Sequence, residues 1–399
     1  MNSRLGAVVL VVLLLGVATG TVLAVGSAQV IETNETANSL SPTNVSEEGY
    51  VEANIDVGTA VAADAEQLHA RHDELTFEAQ FAATADGVEA RELIEEVVRD
   101  IEKNIRSIER QRAELYAAYQ AGERGEATLI RGLSSLDAAA DRQELRIDRL
   151  TTTIETSPNI SLRSETQDRI DAIINNPAIR PSPVEQRLFA ATEGTADPVT
   201  AYVQGNGDAL VLAAVTGTTH LRQATILSER DGSGTDRIGT ADSGWFDATN
   251  ERVAALYPWA WANLAGGGGD VLAGLPFYFV EVQHPHGTLQ LFFDGTSENV
   301  FREHQINNAD VIPVTETTGN TTDGLVVTVQ TTHVTGPMRV NVADADTDLP
   351  VAARISVDGQ QIGLTGGNGQ LRTVQPSGTF TVEVTTTDGE AATVTISGE

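Results

Sequence analysis

Between residues 94 and 119 apolar side chains recur at alternating spacings of three and four, through Ile94, Val98, Ile101, Ile105, Ile108, Leu115 and Tyr119. That period predicts a helix with one buried stripe. Arg112 interrupts the stripe. The segment "AGERGEA" then offers Gly122 and Gly125 as a helix stop and restart. A second stripe follows through Leu129, Leu133, Leu136, Ala140, Ile147, Leu150 and Ile154, with Gln143 as its polar member. Two helices of about 30 residues, about 45–50 Å long, would pair as an antiparallel hairpin. An earlier helix, with Val61, Leu68 and Leu75 on one face, would complete a three-helix bundle over 51–157. Charged residues flank the stripes throughout, which reads as the solvated face of a self-contained hairpin.

Pro158, Pro177, Pro181 and Pro183 mark a linker, after which the pattern changes. Over 184–312 short apolar runs alternate with helical stretches, predicting a small α+β domain. "AYVQGNGDALVLAAVT" is a hairpin, "THLRQATILSE" a further strand, and Asp247–Leu264 a helical pattern carrying Trp259 and Trp261. "FYFVEVQ" and "LQLFF" are strands joined across "HPHGT", and Glu298 to Ile306 is expected as a short helix. Beyond a "TETTGNTTDG" linker, 324–399 shows only strict alternation with Gly or Asp turns, the pattern of a β-sandwich. The fold class is therefore multidomain α and β: an N-terminal helical hairpin or bundle, a middle α+β domain and a C-terminal sandwich.

The first 28 residues read differently. Arg4 precedes an apolar run from Leu5 to Val25 and the small residues Gly26-Ser27-Ala28, and the next basic residue is Arg71. This is expected to be a signal peptide or signal anchor, with the membrane engaged through residues 5–25 if uncleaved and the remainder outside the cell. Residues 29–50, rich in Asn, Thr, Ser and Glu, read as a disordered spacer. Four N-x-S/T sequons, at Asn34, Asn44, Asn159 and Asn320, are candidate glycosylation sites.

Composition sharpens the setting. The net charge is −31, and of 25 basic residues only Lys103 is a lysine. Such a surface suits molar salt, where repulsion is screened within about 3 Å. No basic stripe is available for nucleic acid. The absence of cysteine excludes disulfides, thiolate metal sites and a cysteine nucleophile.

The stretch "DADTDLPVAARISVDGQQIGLTGGNGQLRTVQPSGTFTVEV", Asp344 to Val384, resembles the prealbumin-like or carboxypeptidase-regulatory-like sandwich. That resemblance implies a structural or adhesive accessory domain. The chain as a whole, through "YPWA" at Tyr257–Ala260, "HPHG" at His284–Gly287 and "NVFRE" at Asn299–Glu303, resembles a family of haloarchaeal exported surface proteins. No activity comes with that resemblance. The ending "strand, D-G-T, helix" of the middle region is also similar to PepSY-type modules.

A search for chemistry returns no catalytic, cofactor or metal motif to commit to. His284 and His286, with Glu303 and His304, would ligate a transition metal only if the elements converged; a turn shaped by Pro285 and Gly287 is the preferred reading. Asp344, Asp346 and Asp348 begin like a calcium loop, but Leu349 and Ile355 stand where Gly and Glu are needed. His69 and His72 sit on a polar helix face. Trp245, Trp259, Trp261, Tyr257, Phe277, Tyr278 and Phe279 read as core between a helix and a sheet. The expected function is non-enzymatic: an envelope protein with a structural, adhesive or partner-binding role, associating with envelope proteins or itself through the helical domain. The alternative is an extracellular solute- or peptide-binding sensor using the middle domain.

Overall fold

The computed structural model describes residues 28–157, 160–180, 182–231, 234–265, 270–274, 277–322 and 324–397. The apolar run 5–25, the sequon Asn159 and Gly266–Gly269 lie outside them. Among the described residues no helix is long and apolar enough to cross a membrane.

The chain opens with β1 (Ala28–Ile31), β2 (Ser39–Pro42) and β3 (Glu47–Ala53), followed by α1 (Val57–Ala83), α2 (Gly87–Gln120), α3 (Glu126–Glu155), α4 (Ser164–Ile174) and α5 (Pro183–Glu193). Then come β4 (Val199–Asn206), β5 (Ala209–Thr216), β6 (Thr219–Ile226), α6 (Trp245–Leu256), α7 (Pro258–Ala262), β7 (Asp270–Gly274), β8 (Phe277–His284), β9 (Gly287–Asp294) and β10 (Val300–Asn308). The last part is all strand: β11 (Glu316–Thr321), β12 (Leu325–Thr331), β13 (Pro337–Asp344), β14 (Ala353–Val357), β15 (Gln360–Leu364), β16 (Gln370–Val374), β17 (Phe380–Thr386) and β18 (Ala391–Ile396).

The helical hairpin forms as its pattern predicts. Asp86 caps α2 by accepting from the amides of Val88 and Glu89, and Gly122, at φ 67°, turns the chain after it. The two stripes bury Ile94, Val98, Ile101 and Ile105 against Ile147 and Leu150 at one end. At the other, Ile108, Leu115 and Tyr119 meet Leu129, Leu133 and Leu136 over the sheet.

α1 does pack on α3, but not through the expected face. Val61, Leu68 and Leu75 are 62%, 72% and 50% exposed, while Ala63, Ala70 and Phe77 are buried. The small alanine face permits close approach. Its margin is sealed by arginines of α3, with Arg142 on Asp73 and Glu66 at 2.6 and 3.1 Å and Arg149 on Glu78.

An eight-stranded antiparallel sheet forms the centre, in the order β3-β4-β5-β6-β10-β9-β8-β7. It consists of two four-stranded meanders joined where β6 meets β10. One face carries Val51, Ala201, Val203, Leu210 and Leu212 against α2, α3 and α5. The opposite face is covered in two places. Val211, Ile226, Val280, Leu291 and Phe293 pack under Leu40, Val253, Tyr257 and Ala260. Tyr50, Tyr202 and Ala213 pack on the C-terminal sandwich.

That sandwich has sheets β11-β12-β13-β16 and β15-β14-β17-β18, as its alternation predicts. It also guards the edge of the central sheet. The Gln360 side chain brackets Tyr50 of β3, its Oε1 accepting from the Tyr50 amide at 2.9 Å and its Nε2 donating to the Tyr50 carbonyl. A side-chain amide thus stands in for a neighbouring strand.

Four expectations need correction. Residues 29–50 are not a disordered spacer: β1 and β2 pair as a strap, with Thr36, Ala37, Asn38, Ser39, Leu40 and Ser41 buried. The proline-marked linker contains α4, anchored by buried Ile170 and Ile173, and leads through buried Ile179 into α5 at its end. Glu298 to Ile306 is not a helix; β10 runs through it, because its polar side chains find partners on both faces of the sheet. The "TETTGNTTDG" segment includes β11, which pairs with β12 and belongs to the sandwich.

Candidate functional site

Charged and amide side chains concentrate at the two central strands, where ordinary packing would place apolar ones. β6 reads THLRQATI and β10 VFREHQINN. Their register pairs Arg302 with Thr225, Glu303 with Ala224, His304 with Gln223, Gln305 with Arg222 and Asn307 with His220. Since side chains alternate along a strand, Arg302, His304, Gln223 and Thr225 face the helices. Arg222, Glu303, Gln305, His220 and Asn307 face the strap and the sandwich.

On the second face Arg222 and Glu303 form an ion pair at 2.6 Å with both side chains fully buried. Arg222 also donates to the Leu40 carbonyl at 2.6 Å, Ser41 Oγ at 3.1 Å and Thr335 Oγ1 at 2.7 Å. Glu303 accepts from the Leu40 amide at 2.7 Å, the Tyr257 hydroxyl at 2.6 Å and Gln305 at 3.0 Å. Burial pushes the Glu303 carboxyl up, while Arg222, Tyr257 and the Leu40 amide oppose that shift. The arrangement satisfies both groups and ties strap, sheet, the α6–α7 corner and sandwich to one point.

On the first face Arg112, the residue that breaks the apolar stripe of α2, meets Glu185 at 2.6 Å and Asp137 at 3.3 Å. Gln223 donates to Glu185 at 2.9 Å. Arg302 donates to the Pro177 carbonyl at 2.5 Å and keeps its Nη2 3.8 Å from Glu185 Oε2. Burial alone would raise Glu185, but the charges of Arg112 and Arg302 hold it down to about 2. Asp137 goes the other way, pushed well up by burial and then by the negative charge of Glu185.

Arg302 and Arg112 also line a cavity of about 440 Å³ between α2, the Pro177–Ile179 turn and the end of β6. Arg106, Arg110 and Arg230 stand at the same cavity, with Ala113, Pro177, Ala178, Leu227 and Phe301 as its apolar wall. A register irregularity between Val300 and Arg302 accompanies this geometry. Arg230 lies over the rings of Phe277 and Phe301 at 4.7 and 5.2 Å.

The histidines singled out in the sequence do not converge. His286 stacks on Trp259 at 4.7 Å between centroids, and His284 meets the same ring edge-on at 5.5 Å. His304 points to the other face of the sheet, against Phe292 and Gln290. Gly287 closes the turn at φ 155°, and a Cβ there would lie 2.0 Å from the Ile306 carbonyl oxygen. Among the described residues no group of three His, Asp or Glu could hold a metal ion. Asp344 is spent on its own turn, accepting from the Asp346 and Thr347 amides and the Thr347 hydroxyl. His69 and His72 are exposed. Trp259 and Trp261 pack on the core, whereas Trp245 is 38% exposed. Of the described sequons, Asn34, Asn44 and Asn320 are exposed. Asn320 lies in β11 rather than a linker and donates to the Thr393 carbonyl at 2.8 Å.

Two signals in the sequence mark the ionic centre without showing it as one. Arg112 breaks an otherwise apolar stripe, and β6 and β10 carry polar residues in both phases of the alternation. Neither signal names a partner.

Burial holds five histidines neutral: His220 and His284 are lowered to about 4, His333 to about 3, and His286 and His304 are lowered as well. An unfolded histidine titrates near 6.5, so between about 6.5 and 4 the unfolded chain binds more protons. Stability is complete above that window and falls as pH descends through it. A thermal melt recorded from pH 7.5 to 4.5 is expected to show this decline, and His304→Gln to flatten it.

Three family models match the chain in tandem. Residues 5–197 match a domain of unknown function (DUF7096), and 201–313 match a family of unknown function (DUF7094). No curated protein matches. The expected prealbumin-like sandwich is thereby replaced by a different sandwich match, at residues 316–393, to an archaeal fibronectin-III type-like domain. The first two matches divide a single sheet, since β3 lies in one and β5 to β10, with most of β4, in the other. Region by region, then, the chain is similar to two modules of unknown function followed by an archaeal fibronectin-III type-like sandwich.

Proposed function

We propose that the chain is a non-enzymatic envelope protein of a halophilic archaeon, exported through residues 5–25, with a structural, adhesive or partner-binding role. One observation carries this reading. The buried Arg222–Glu303 pair joins Leu40 and Ser41 of the first matched region, Tyr257 of the second and Thr335 of the third. Polar groups that would be reactive elsewhere are used here to bind three modules into one body. A fibronectin-III-like sandwich at one end accords with display or adhesion. The single lysine and the charge of −31 support a high-salt exterior. The exposed Asn34, Asn44 and Asn320 would be reachable by N-glycosylation.

Self-association would run through α1. Val61, Leu68 and Leu75 repeat every seven residues on its outward face, the spacing of a helix seam facing another helix. Sedimentation in molar KCl is expected to show a concentration-dependent dimer. Leu68→Glu should weaken it by about tenfold or more, the free energy of burying one leucine, with the melting temperature of the monomer unchanged. A strictly monomeric wild type would remove self-association. Reproducible turnover of a substrate, lost on replacing His304 or Arg302, would overturn the non-enzymatic reading.

A further inference from the structure

We propose that one end of the central sheet rests on the membrane surface, with Trp245 and Phe246 entering the lipid interface and a basic row of α2 at the headgroups. The inference deepens the envelope reading and rests on residues 5–25 being retained as a membrane anchor.

Strand direction brings these features to the same place. β4 and β9 finish, and β5, β8 and β10 start, at one end of the sheet. The strap runs toward that end. Thr36, before β2, meets His286 in the β8–β9 turn at the opposite end. Leu40 then meets Glu303 partway along β10, and Ser46, after β2, donates its amide to the Gly205 carbonyl beside the β4–β5 turn. β1 pairs antiparallel to β2, with Ala28 opposite Pro42, so β1 is entered from the end where β10 starts. Val25, the last residue of the apolar run, stands three residues before Ala28, a reach of at most about 11 Å. An anchor in the bilayer therefore holds this end of the sheet close to the membrane.

The same end carries apolar side chains in the open. α6 begins there, with Trp245 against Tyr278 at 6.3 Å between centroids, whereas Trp259, beyond its C-terminus, reaches His284 and His286 at the other end. Trp245 and Phe246 are 38% and 46% exposed, and Val45, between β2 and β3, is 37% exposed. Single exposed apolar residues are ordinary. An adjacent Trp–Phe pair at the end tied to an apolar run is the composition that a lipid interface takes up. Charge points the same way. Arg99, Lys103, Arg106 and Arg110 recur at spacings of four, three and four on the exposed face of α2. Arg106 and Arg110 stand beside Phe301, Leu227 and Arg230, at the start of β10 and just after β6. The row holds the only lysine of a chain with net charge −31, and it complements anionic headgroups. Molar salt confines that attraction to direct contact, so the apolar side chains hold the surface down and the basic row orients it.

The chain has no cysteine, so a nitroxide can be attached at one introduced cysteine at a time. Phe246→Cys, Val45→Cys and Lys103→Cys report on the proposed surface, and Val311→Cys, just beyond the last residue of β10, on the opposite end. All four positions are exposed, so the labels leave the fold intact. The full chain is reconstituted in phosphatidylglycerol vesicles in molar KCl, and collisions with oxygen and with a water-soluble nickel chelate give the depth of each label. The Phe246 label is expected about 5–10 Å below the headgroups. The Val45 and Lys103 labels should lie at headgroup level, with severalfold fewer nickel collisions than the Val311 label, which stays in water. If the chain is bound to vesicles and the Phe246 label meets nickel as often as the Val311 label, the proposal is overturned while the anchor reading stands. A Lys103 label in open water above an immersed Phe246 label would overturn the placing of the basic row. Full-length chain that fails to float with the vesicles would sink the anchor reading and the proposal together.

Discussion

Replacing Arg222 with methionine is expected to lower stability by about 3–5 kcal/mol, the penalty for leaving one partner of a buried pair alone. Glu303 would keep the Leu40 amide, the Tyr257 hydroxyl and Gln305, but its charge would have no counterion. The change would also cut the donors reaching Leu40, Ser41 and Thr335, so two contacts that hold the strap and one that holds the sandwich go together. A calorimetric scan should therefore show a drop in Tm of about 4–6 °C, and one transition resolving into two as the sandwich uncouples.

The pH dependence of the deficit identifies its cause. Burial already pushes Glu303 up, and without Arg222 its folded value rises further. A carboxyl with a raised folded pKa favours the folded state increasingly as pH falls through that value toward its unfolded 4.3. The deficit of Arg222→Met against wild type should therefore be smaller at pH 5 than at pH 8. Adding Glu303→Gln, which removes the stranded charge but keeps an acceptor for the Leu40 amide and the Tyr257 hydroxyl, should recover much of the loss. An equal deficit at both pH values, with no recovery in the double variant, would mean that lost packing and not a stranded charge is responsible.

How much of this was legible beforehand follows from where the information sits. The stripes of α2 and α3 and the alternation of β12 to β18 are local patterns, and the structure reproduces them. The strap has the composition of a spacer because most of its buried residues are polar. Asn38 is inside because its amide reaches the Leu256 carbonyl at 2.8 Å, and Leu40 because Glu303 takes its amide. Those partners lie more than 200 residues away, beyond any window on composition. α1 offered two rival heptad rows, and the row of larger residues lost to Ala63, Ala70 and Phe77. The arginines of α3 clamp that side, and alanine carries little weight in a hydrophobic pattern. The sequence of β10 resembles a helix because Arg302, Glu303, His304 and Gln305 hide an alternation whose two phases are both polar. The strap and β10 share one origin, a buried polar group whose acceptor or donor is supplied by a distant element; α1 has another, the low weight of alanine in the pattern.

The second ionic centre makes a sharper demand, because its two carboxylates should respond oppositely. Glu185 is held down to about 2 by Arg112 and Arg302, so it is ionised in the folded protein. Its contribution is present above the unfolded glutamate value and is lost as pH falls toward 2. Glu185→Gln would leave two buried guanidiniums facing a neutral amide and is expected to cost about 3–5 kcal/mol at pH 7. Asp137 is pushed well up by burial and by Glu185, so the folded state favours its protonated form. Above the unfolded aspartate value of about 4, keeping that proton opposes folding, increasingly until pH passes the raised folded value. Asparagine mimics a protonated aspartate in shape and removes the ionisation. Asp137→Asn should therefore be neutral or stabilising at pH 7, and lose that advantage at pH 4. Denaturant melts of the two variants at both pH values decide the matter: Asp137→Asn destabilising as strongly as Glu185→Gln at neutral pH would show that both carboxylates are ionised, and that Arg112 and Arg302 are each matched by a full negative charge.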